Sequence, residues 1–213
     1  MHIPDGFLDA KTWLACGAVA AVGVTAAVRK TRQELGEKSV PLMGVMSAFV
    51  FAAQMINFPV AAGTSGHLVG GVLAAVLLGP WAGATVLTLV LLVQCFIFQD
   101  GGITSLGANI LNMALLGVFC GYGTYSIFTQ TFGAKGGFYV GAALGAWVAV
   151  VVGSAACAVE LAVSGTVPLK LALVTMAGIH SVIGIGEAAI TVLVLSMVRR
   201  VRPDLIYGSA GVA

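Results

Sequence analysis

Apolar runs, interrupted by glycine, proline and charged residues, repeat along the whole chain. Each run is a candidate helix, because in lipid a helix satisfies all of its own backbone hydrogen bonds. The predicted helices cover seven segments, about 12–29, 41–57, 67–79, 80–98, 107–128, 136–164 and 169–198. The pattern therefore predicts an all-α polytopic membrane bundle of seven transmembrane helices, with residues 1–213 forming a single domain.

Composition supports lipid as the solvent of this bundle. Of the 213 residues, 59% are hydrophobic and 8% are charged, and the mean hydropathy is +1.05. A soluble domain carries roughly a quarter charged residues, so the composition excludes a water-soluble globule. The predicted helices leave almost no chain for a soluble catalytic domain. A net charge of +2 gives no indication of nucleic-acid binding.

The third apolar run is only 13 residues long and ends at Gly79-Pro80. It is either a separate short span or one half of a broken helix with the fourth run, which would leave six spans. Basic residues favour the cytoplasmic side of a membrane, so their positions distinguish a topology of seven spans from one of six. With seven spans, an external N-terminus and a cytoplasmic C-terminus, only Lys11 and Lys170 lie outside. The remaining basic residues are then cytoplasmic: Arg29, Lys30, Arg32, Lys38, Lys135, Arg199, Arg200 and Arg202. The charge distribution favours seven spans.

Small residues recur inside the runs at spacings that let helix backbones approach closely in lipid. Three stripes repeat every four residues: Gly137, Gly141 and Gly145; Gly117 and Gly121; and Gly17, Ala21 and Thr25. We interpret them as packing within the chain, with docking to a partner as the alternative. Cysteines stand singly in apolar runs, so we expect small buried hydrophobic side chains at Cys16, Cys95, Cys120 and Cys157.

The first residues, Met-His-Ile-Pro-Asp-Gly, lack the basic region of a signal peptide and carry Asp5 before the first apolar run. We therefore expect no cleavable signal and a mature N-terminus as written. The predicted topology places this segment, residues 1–10, on the outer side of the membrane. Other polar residues gather at the same side: Ser65, His67, Gln99, Asp100, Ser105, Asn109 and Asn112.

His2 is the most informative residue of this outer cluster. A histidine at position two offers a metal the Met1 α-amine, its own backbone nitrogen and its imidazole Nδ1, which close fused five- and six-membered chelate rings. Cu(II) and Ni(II) readily displace the backbone proton, and a fourth nitrogen completes the square-planar field that they favour. His67 is the natural fourth donor. The alternative is that both histidines are solvated or structural. Ser65 and Gly66, just before His67, are also predicted to cap the third helix, a role that is compatible with ligation by His67.

Several further residues are candidates to orient these imidazoles. Gln99, Asp100, Asn109 and Asn112 follow the fourth predicted helix or begin the fifth. The amides could equally cap interrupted backbone. His180 and Glu187 lie on the last helix about 10 Å apart, so both cannot bind one ion. We weigh packing evenly against ligation for His180 and expect Glu187 to stabilise a helix contact or a partner interface. Glu160, Gln54 and Asn57 are weaker candidates of the same kind.

Phosphate-binding loops of the GxxxxGK[ST] type, HExxH and GxSxG are all absent from the sequence. The chain therefore shows no apparatus for ATP hydrolysis, metalloproteolysis or acyl transfer, and we expect it not to be an enzyme. A channel or proton-coupled permease would need a file of polar residues across the membrane, yet the first, fourth and sixth helices are almost wholly apolar in their middle thirds.

Several segments of the chain closely resemble the CbiM/NikM family. They are the opening MHIPDGFL, the TSGHL segment around His67 with Gly70-Gly71, the stretch from Gln94 to Gly102, and the LGAN and NMA segments that contain Asn109 and Asn112. Its members are substrate-binding membrane subunits of energy-coupling-factor transporters for nickel and cobalt. The resemblance implies a seven-helix subunit whose N-terminus tucks into the bundle and binds metal through the Met1 amine, the His2 amide and imidazole, and His67.

The resemblance also implies a prokaryotic plasma membrane and partner subunits. These are two cytoplasmic ATPases, a transmembrane coupling subunit and an additional small membrane component, which we expect to be separate or absent because this chain ends soon after Arg202. The Pro4-Asp5 opening favours Ni(II) as the transported substrate, with Co(II) for corrinoid synthesis as the alternative. Ordinary pKa values predict that acidification through about pH 6–7 releases the metal.

Overall fold

The computed structural model describes residues 1–36, 40–56, 58–59 and 65–208. Within these ranges the chain forms seven helices: α1 (Ala10–Glu34), α2 (Val40–Gln54), α3 (Gly71–Leu78), α4 (Pro80–Phe98), α5 (Leu106–Phe132), α6 (Phe138–Val163) and α7 (Leu169–Val201). Strands β1 (Phe58–Pro59) and β2 (Ser65–Gly66) form one short antiparallel pair. A 3₁₀ turn, Pro203–Leu205, follows α7. The predicted all-α class is confirmed.

Five of these helices, α1, α4, α5, α6 and α7, are long and apolar enough to cross a membrane. Their outward faces carry exposed large hydrophobic side chains, among them Val22 on α1, Phe96 on α4 and Leu193 on α7. Such faces are unfavourable in water but are matched by lipid. The protein is therefore a multi-pass membrane protein. α2 has 15 residues and α3 has eight, fewer than the roughly 20 of a typical spanning helix.

The third helix begins later than its apolar run predicts. The expected start was residue 67, whereas α3 begins at Gly71 because Gly70 has a left-handed backbone, φ 75°, that helical geometry cannot continue. The prediction that Ser65 and Gly66 cap this helix is wrong, since both belong to β2. His67 therefore lies in a non-helical stretch between β2 and α3.

A sharp reversal at Gly79 separates α3 from α4. Gly79 has a φ of 89°. Ala75 and Gly83, four residues before and after it, lie so close together that a Cβ at Gly83 would be only 2.9 Å from the backbone nitrogen of Ala75. In one continuous helix those positions would be about 12 Å apart. The alternative of a single broken helix over the third and fourth runs is therefore wrong, and α3 and α4 form a helical hairpin.

Contacts at the two ends of the bundle show which segments lie together. At one end the Tyr207 backbone donates to Val76 O at 2.9 Å, its hydroxyl lies 3.3 Å from Glu34, and Arg199 stacks over the Phe138 ring. This end therefore gathers the end of α1, the α3–α4 reversal, the start of α6 and the C-terminal tail. At the other end the Thr166 hydroxyl donates to Phe7 O. The N-terminal segment and the C-terminal tail thus lie at opposite ends.

Glycines from the predicted stripes make close contacts within the chain. A Cβ at Gly121 of α5 would lie 2.8 Å from Gly145 O of α6, and one at Gly141 would lie 2.9 Å from Tyr125 O. A Cβ at Gly107 would overlap the backbone of Gly17 on α1. The interpretation as internal packing is confirmed for the stripes on α5 and α6, whereas in the α1 stripe only Gly17 packs closely and Ala21 and Thr25 are exposed.

Three of the four cysteines, Cys16, Cys95 and Cys157, are buried as expected. The prediction is wrong for Cys120, which is exposed on α5. The physical reason is that an apolar run in lipid has no solvated face, so hydrophobicity does not distinguish an inward side chain from one that contacts lipid.

Candidate metal centre

The N-terminal segment, residues 1–9, enters the bundle as a non-helical strap. Met1 and Ile3 are fully buried and His2 is 3% exposed. Asn109 at the start of α5 pairs with the backbone of Ile3, because its Oδ1 accepts from Ile3 N at 2.8 Å and its Nδ2 donates to Ile3 O at 3.3 Å. Gly102 N also donates to Ile3 O, at 2.9 Å. An amide side chain and a loop thus satisfy backbone that has no strand partner.

Asp5 fastens this strap to the loop that follows α4. Its carboxylate accepts from Ile103 N at 3.1 Å, from Thr104 N at 2.8 Å and from the Thr104 hydroxyl at 2.5 Å. The Thr104 hydroxyl and these backbone donors lower the pKa of Asp5. Gly102 is required for the close approach, since a Cβ there would overlap Asp5 N. The strap is therefore anchored at Ile3 and at Asp5, directly after its buried tip.

The His2 and His67 rings stack inside the bundle. Their centroids are 4.6 Å apart and their planes differ by 28°. His2 Nε2 lies 3.1 Å from Gln94 Oε1 on α4, which favours the tautomer with hydrogen on Nε2 and a lone pair on Nδ1. Burial, with the neighbouring α-amine, lowers the pKa of His2 to about 3. The ring is therefore neutral at neutral pH, and its Nδ1 lies 3.4 Å from Asp100 Oδ1.

His67 presents the complementary nitrogen. Its Nδ1 lies 2.6 Å from Leu68 O and donates its hydrogen there, so the lone pair is on Nε2. That atom is buried and has no hydrogen-bond partner among the described residues. A buried acceptor of this kind costs free energy unless a ligand or a water satisfies it.

The Met1 α-amine completes the cluster. It is within electrostatic range of both imidazoles and of Asp100. Burial lowers the pKa of this amine to about 5, so at neutral pH it is uncharged and carries a lone pair. The Met1 thioether packs against α6, where a Cβ at Gly153 would lie 3.4 Å from Sδ. The side chain is thus used for packing, while the amine lies within electrostatic range of both histidines.

The remaining candidates take up different positions around this cluster. His180 on α7 lies within electrostatic range of His67 and binds its own helix, with Nδ1 2.8 Å from Met176 O. Asp100 contacts His2, as described. Asn57 lies outside the described residues, as does the side chain of Ser65.

Three predicted amides take other positions and do not orient the imidazoles. Gln99 has a left-handed backbone, φ 54°, that ends α4, and its side chain is exposed. Asn112 instead donates to Glu160 Oε2 on α6 at 2.7 Å. It diverges from Asn109 because the backbone becomes π-helical over Ile110–Gly117, which changes the angle between residues three apart. Asn109 holds Ile3 rather than an imidazole.

Gln94, rather than the predicted Gln99, contacts the His2 imidazole. It is fully buried on α4 and is one of very few polar residues in that helix. An isolated amide within a membrane helix is itself a signal of function, and that signal was available from the sequence.

Comparisons with known proteins show the family to which this chain belongs. The profile of one protein family, described as the cobalt uptake substrate-specific transmembrane region, matches residues 2–205. A putative metal transport protein of Haloquadratum walsbyi is 39% identical over 97% of this chain and 94% of its own. A putative fused nickel transport protein of Archaeoglobus fulgidus is 38% identical over 99% of this chain and 69% of its own.

A solved structure of a truncated transition metal transporter is also similar. It superposes with a TM-score of 0.87 at 36% identity, covering 94% of this chain and 99% of its own. This chain belongs to the CbiM family of cobalt-uptake substrate-specific transmembrane proteins, which includes nickel transport relatives.

Proposed function

We propose that this protein is the substrate-binding subunit of an energy-coupling-factor transporter, which captures Ni(II) outside a prokaryotic cell for import driven by partner ATPases. The ligands are the Met1 α-amine, the His2 backbone nitrogen and Nδ1, and His67 Nε2. The observation that carries the proposal is the stacked pair of imidazoles beside a buried α-amine. Each of these groups places a lone pair, rather than a charge, in the buried centre.

The choice of metal follows from the donor set. The described part of the chain contains no cluster of three His, Cys, Asp or Glu side chains that could hold an ion. The proposed site therefore draws on main-chain nitrogens, and Ni(II) displaces an amide proton far more readily than Zn(II). Four nitrogens in a plane suit Ni(II), and Co(II) accepts the same set, so Co(II) is the alternative substrate.

The proposed orientation places the N-terminal strap outside and the C-terminus in the cytoplasm. Residues 67–70, if extended, and α3 together have a length of at most about 25 Å. This is comparable with the length of the next helix from Pro80 to Gln94, which is roughly 21 Å. Those residues thus act as the third of seven spans although α3 alone is too short. The basic residues Arg199, Arg200 and Arg202 fall at the cytoplasmic end, as the positive-inside rule requires.

Metal uptake is expected to depend on partners. Cells that produce this chain alone should accumulate nickel close to background, because the chain carries no nucleotide-binding loop. Co-production with a transmembrane coupling subunit, two ATPase subunits and the additional small membrane component should raise uptake. Uptake of ⁶³Ni, with and without an inactive ATPase variant as the matched control, measures this. Strong ATP-independent uptake by the lone chain would instead favour a permease.

Acid is expected to release the metal at a lower pH than ordinary amine and imidazole values predict. Burial lowers the pKa of the Met1 amine to about 5 and that of His2 to about 3. Protons therefore compete weakly at pH 6–7 and compete strongly only as the pH falls through about 5. Nickel retained by the solubilised protein, measured between pH 7.5 and 3.5, should stay constant to about pH 6 and then fall. Half-release already at pH 6.5 would contradict the prediction that the lowered pKa values of the amine and of His2 set the pH of release.

A further inference from the structure

The Leu68–Val69 peptide lies between the side chains of His67, a proposed ligand, and Glu187, which is not a ligand. Its carbonyl oxygen accepts from His67 Nδ1 at 2.6 Å. Its N–H donates to Glu187 Oε2 at 2.7 Å, and the next N–H, of Gly70, donates to Glu187 Oε1 at 2.6 Å. One peptide unit thus links an imidazole of the proposed metal centre to a carboxylate on α7.

The two backbone donors favour the ionised form of the Glu187 carboxylate in this arrangement. Both of its oxygens accept short hydrogen bonds from backbone donors, and a protonated carboxyl would turn one oxygen into a donor. Glu187 is fully buried, where an unsatisfied charge is costly. The two N–H groups precede α3, whose N-terminal dipole also stabilises the negative charge.

The peptide plane has little freedom to turn. A peptide is planar, so its C=O and N–H point in fixed, opposite directions. Glu187 fixes the N–H side, and Gln54 on α2 fixes the next carbonyl by donating to Val69 O at 2.7 Å. Gly70 packs against α2, where a Cβ would lie 2.9 Å from a Val50 methyl. The direction of Leu68 O, which is the acceptor for His67, is therefore set by α2 and α7.

We infer that Glu187 is a positioning residue for His67, acting through the Leu68–Val69 peptide. The carboxylate orients that peptide so that Leu68 O takes the Nδ1 hydrogen and leaves the Nε2 lone pair for the metal. It also polarises the peptide, which makes Leu68 O a stronger acceptor and His67 a stronger donor to the ion. This inference rests on the proposed function and adds a residue on a helix that supplies no ligand.

Glu187→Gln tests the inference with almost no change in volume. An amide has one acceptor and one donor end, so it can satisfy only one of the two N–H groups and opposes the other. We expect Ni(II) affinity of the solubilised full chain to fall about 10- to 100-fold, as for other groups that orient metal ligands. The ligand-field absorption of the bound nickel should also shift. Glu187→Asp, which keeps the charge but withdraws it from the peptide, should lower affinity in the same direction and decides the matter if the Gln variant does not fold.

A double-mutant comparison separates positioning from general support of the bundle. In a His67→Ala background the imidazole is gone, so Glu187→Gln should lower the remaining affinity less than about threefold. Thr191→Val, one turn further on the same buried face of α7, is the matched control and should leave affinity unchanged. Equal losses with and without His67, or unchanged affinity in both Glu187 variants, would overturn the inference. A wild-type chain that binds neither Ni(II) nor Co(II) would overturn the proposed function itself.

Discussion

Blocking the Met1 α-amine is expected to lower Ni(II) affinity by about 100-fold or more, beyond the 10- to 100-fold typical of groups that merely orient a ligand. Acetylation delocalises the amine lone pair into an amide and so opens the five-membered chelate ring. It also adds bulk where the chain has little space, because Met1 is fully buried and packs against Gly153 of α6. A histidine-free peptide fused before Met1 should have the same effect.

The same peptide fused after Ala213 is the matched control. The described part of the C-terminal tail packs against Val76 and Glu34, at the end of the bundle opposite the N-terminal strap. The C-terminal fusion should therefore bind nickel like the unmodified chain. Both fusions are purified in parallel and assayed for nickel by mass spectrometry and by titration. Equal occupancy in the two proteins would remove Met1 from the site and leave a less selective pair of histidines.

Much of the helical framework could be predicted from apolar runs and charge, because in lipid the length of an apolar run nearly determines a helix. The start of α3 could not, since the run continues through Gly70 while the backbone there turns left-handed. The direction in which each side chain points could not be predicted either. Hydrophobicity is similar on all faces of these helices, so nothing in the sequence placed Cys120 towards lipid.

Part of the candidate site could likewise be predicted from the sequence, and part could not. The chelate of Met1 and His2 is a property of covalent geometry, and so it could be inferred without a fold. Which amide meets the imidazole depends on the last turn of α4, where Gln94 points inward and Gln99 has already left the helix. The link from Glu187 to His67 depends on tertiary structure, because it joins residues more than 110 positions apart through a backbone unit.

His67→Ala is expected to cause the second large loss, again about 100-fold or more in Ni(II) affinity. The substitution removes the Nε2 lone pair and the ring that stacks on His2 at 4.6 Å. The amine and His2 can still chelate, but water replaces the fourth nitrogen and is a weaker-field ligand. A yellow, diamagnetic planar species should therefore give way to a spectrum with weaker splitting. The bundle should remain folded, because its helices are held by close packing that does not involve this ring.

His180→Ala is the matched control for that loss. His180 is also fully buried, and its Nδ1 also bonds a backbone carbonyl, at 2.8 Å from Met176 O. Loss of a buried imidazole in itself should thus affect the two variants alike, whereas loss of a ligand should affect only His67→Ala strongly. Thermal unfolding of the metal-free variants measures the first effect, and nickel titration with the absorption spectrum measures the second. Equal loss of affinity in both variants would make His180 a ligand, and full nickel binding by His67→Ala with an unchanged spectrum would exclude His67.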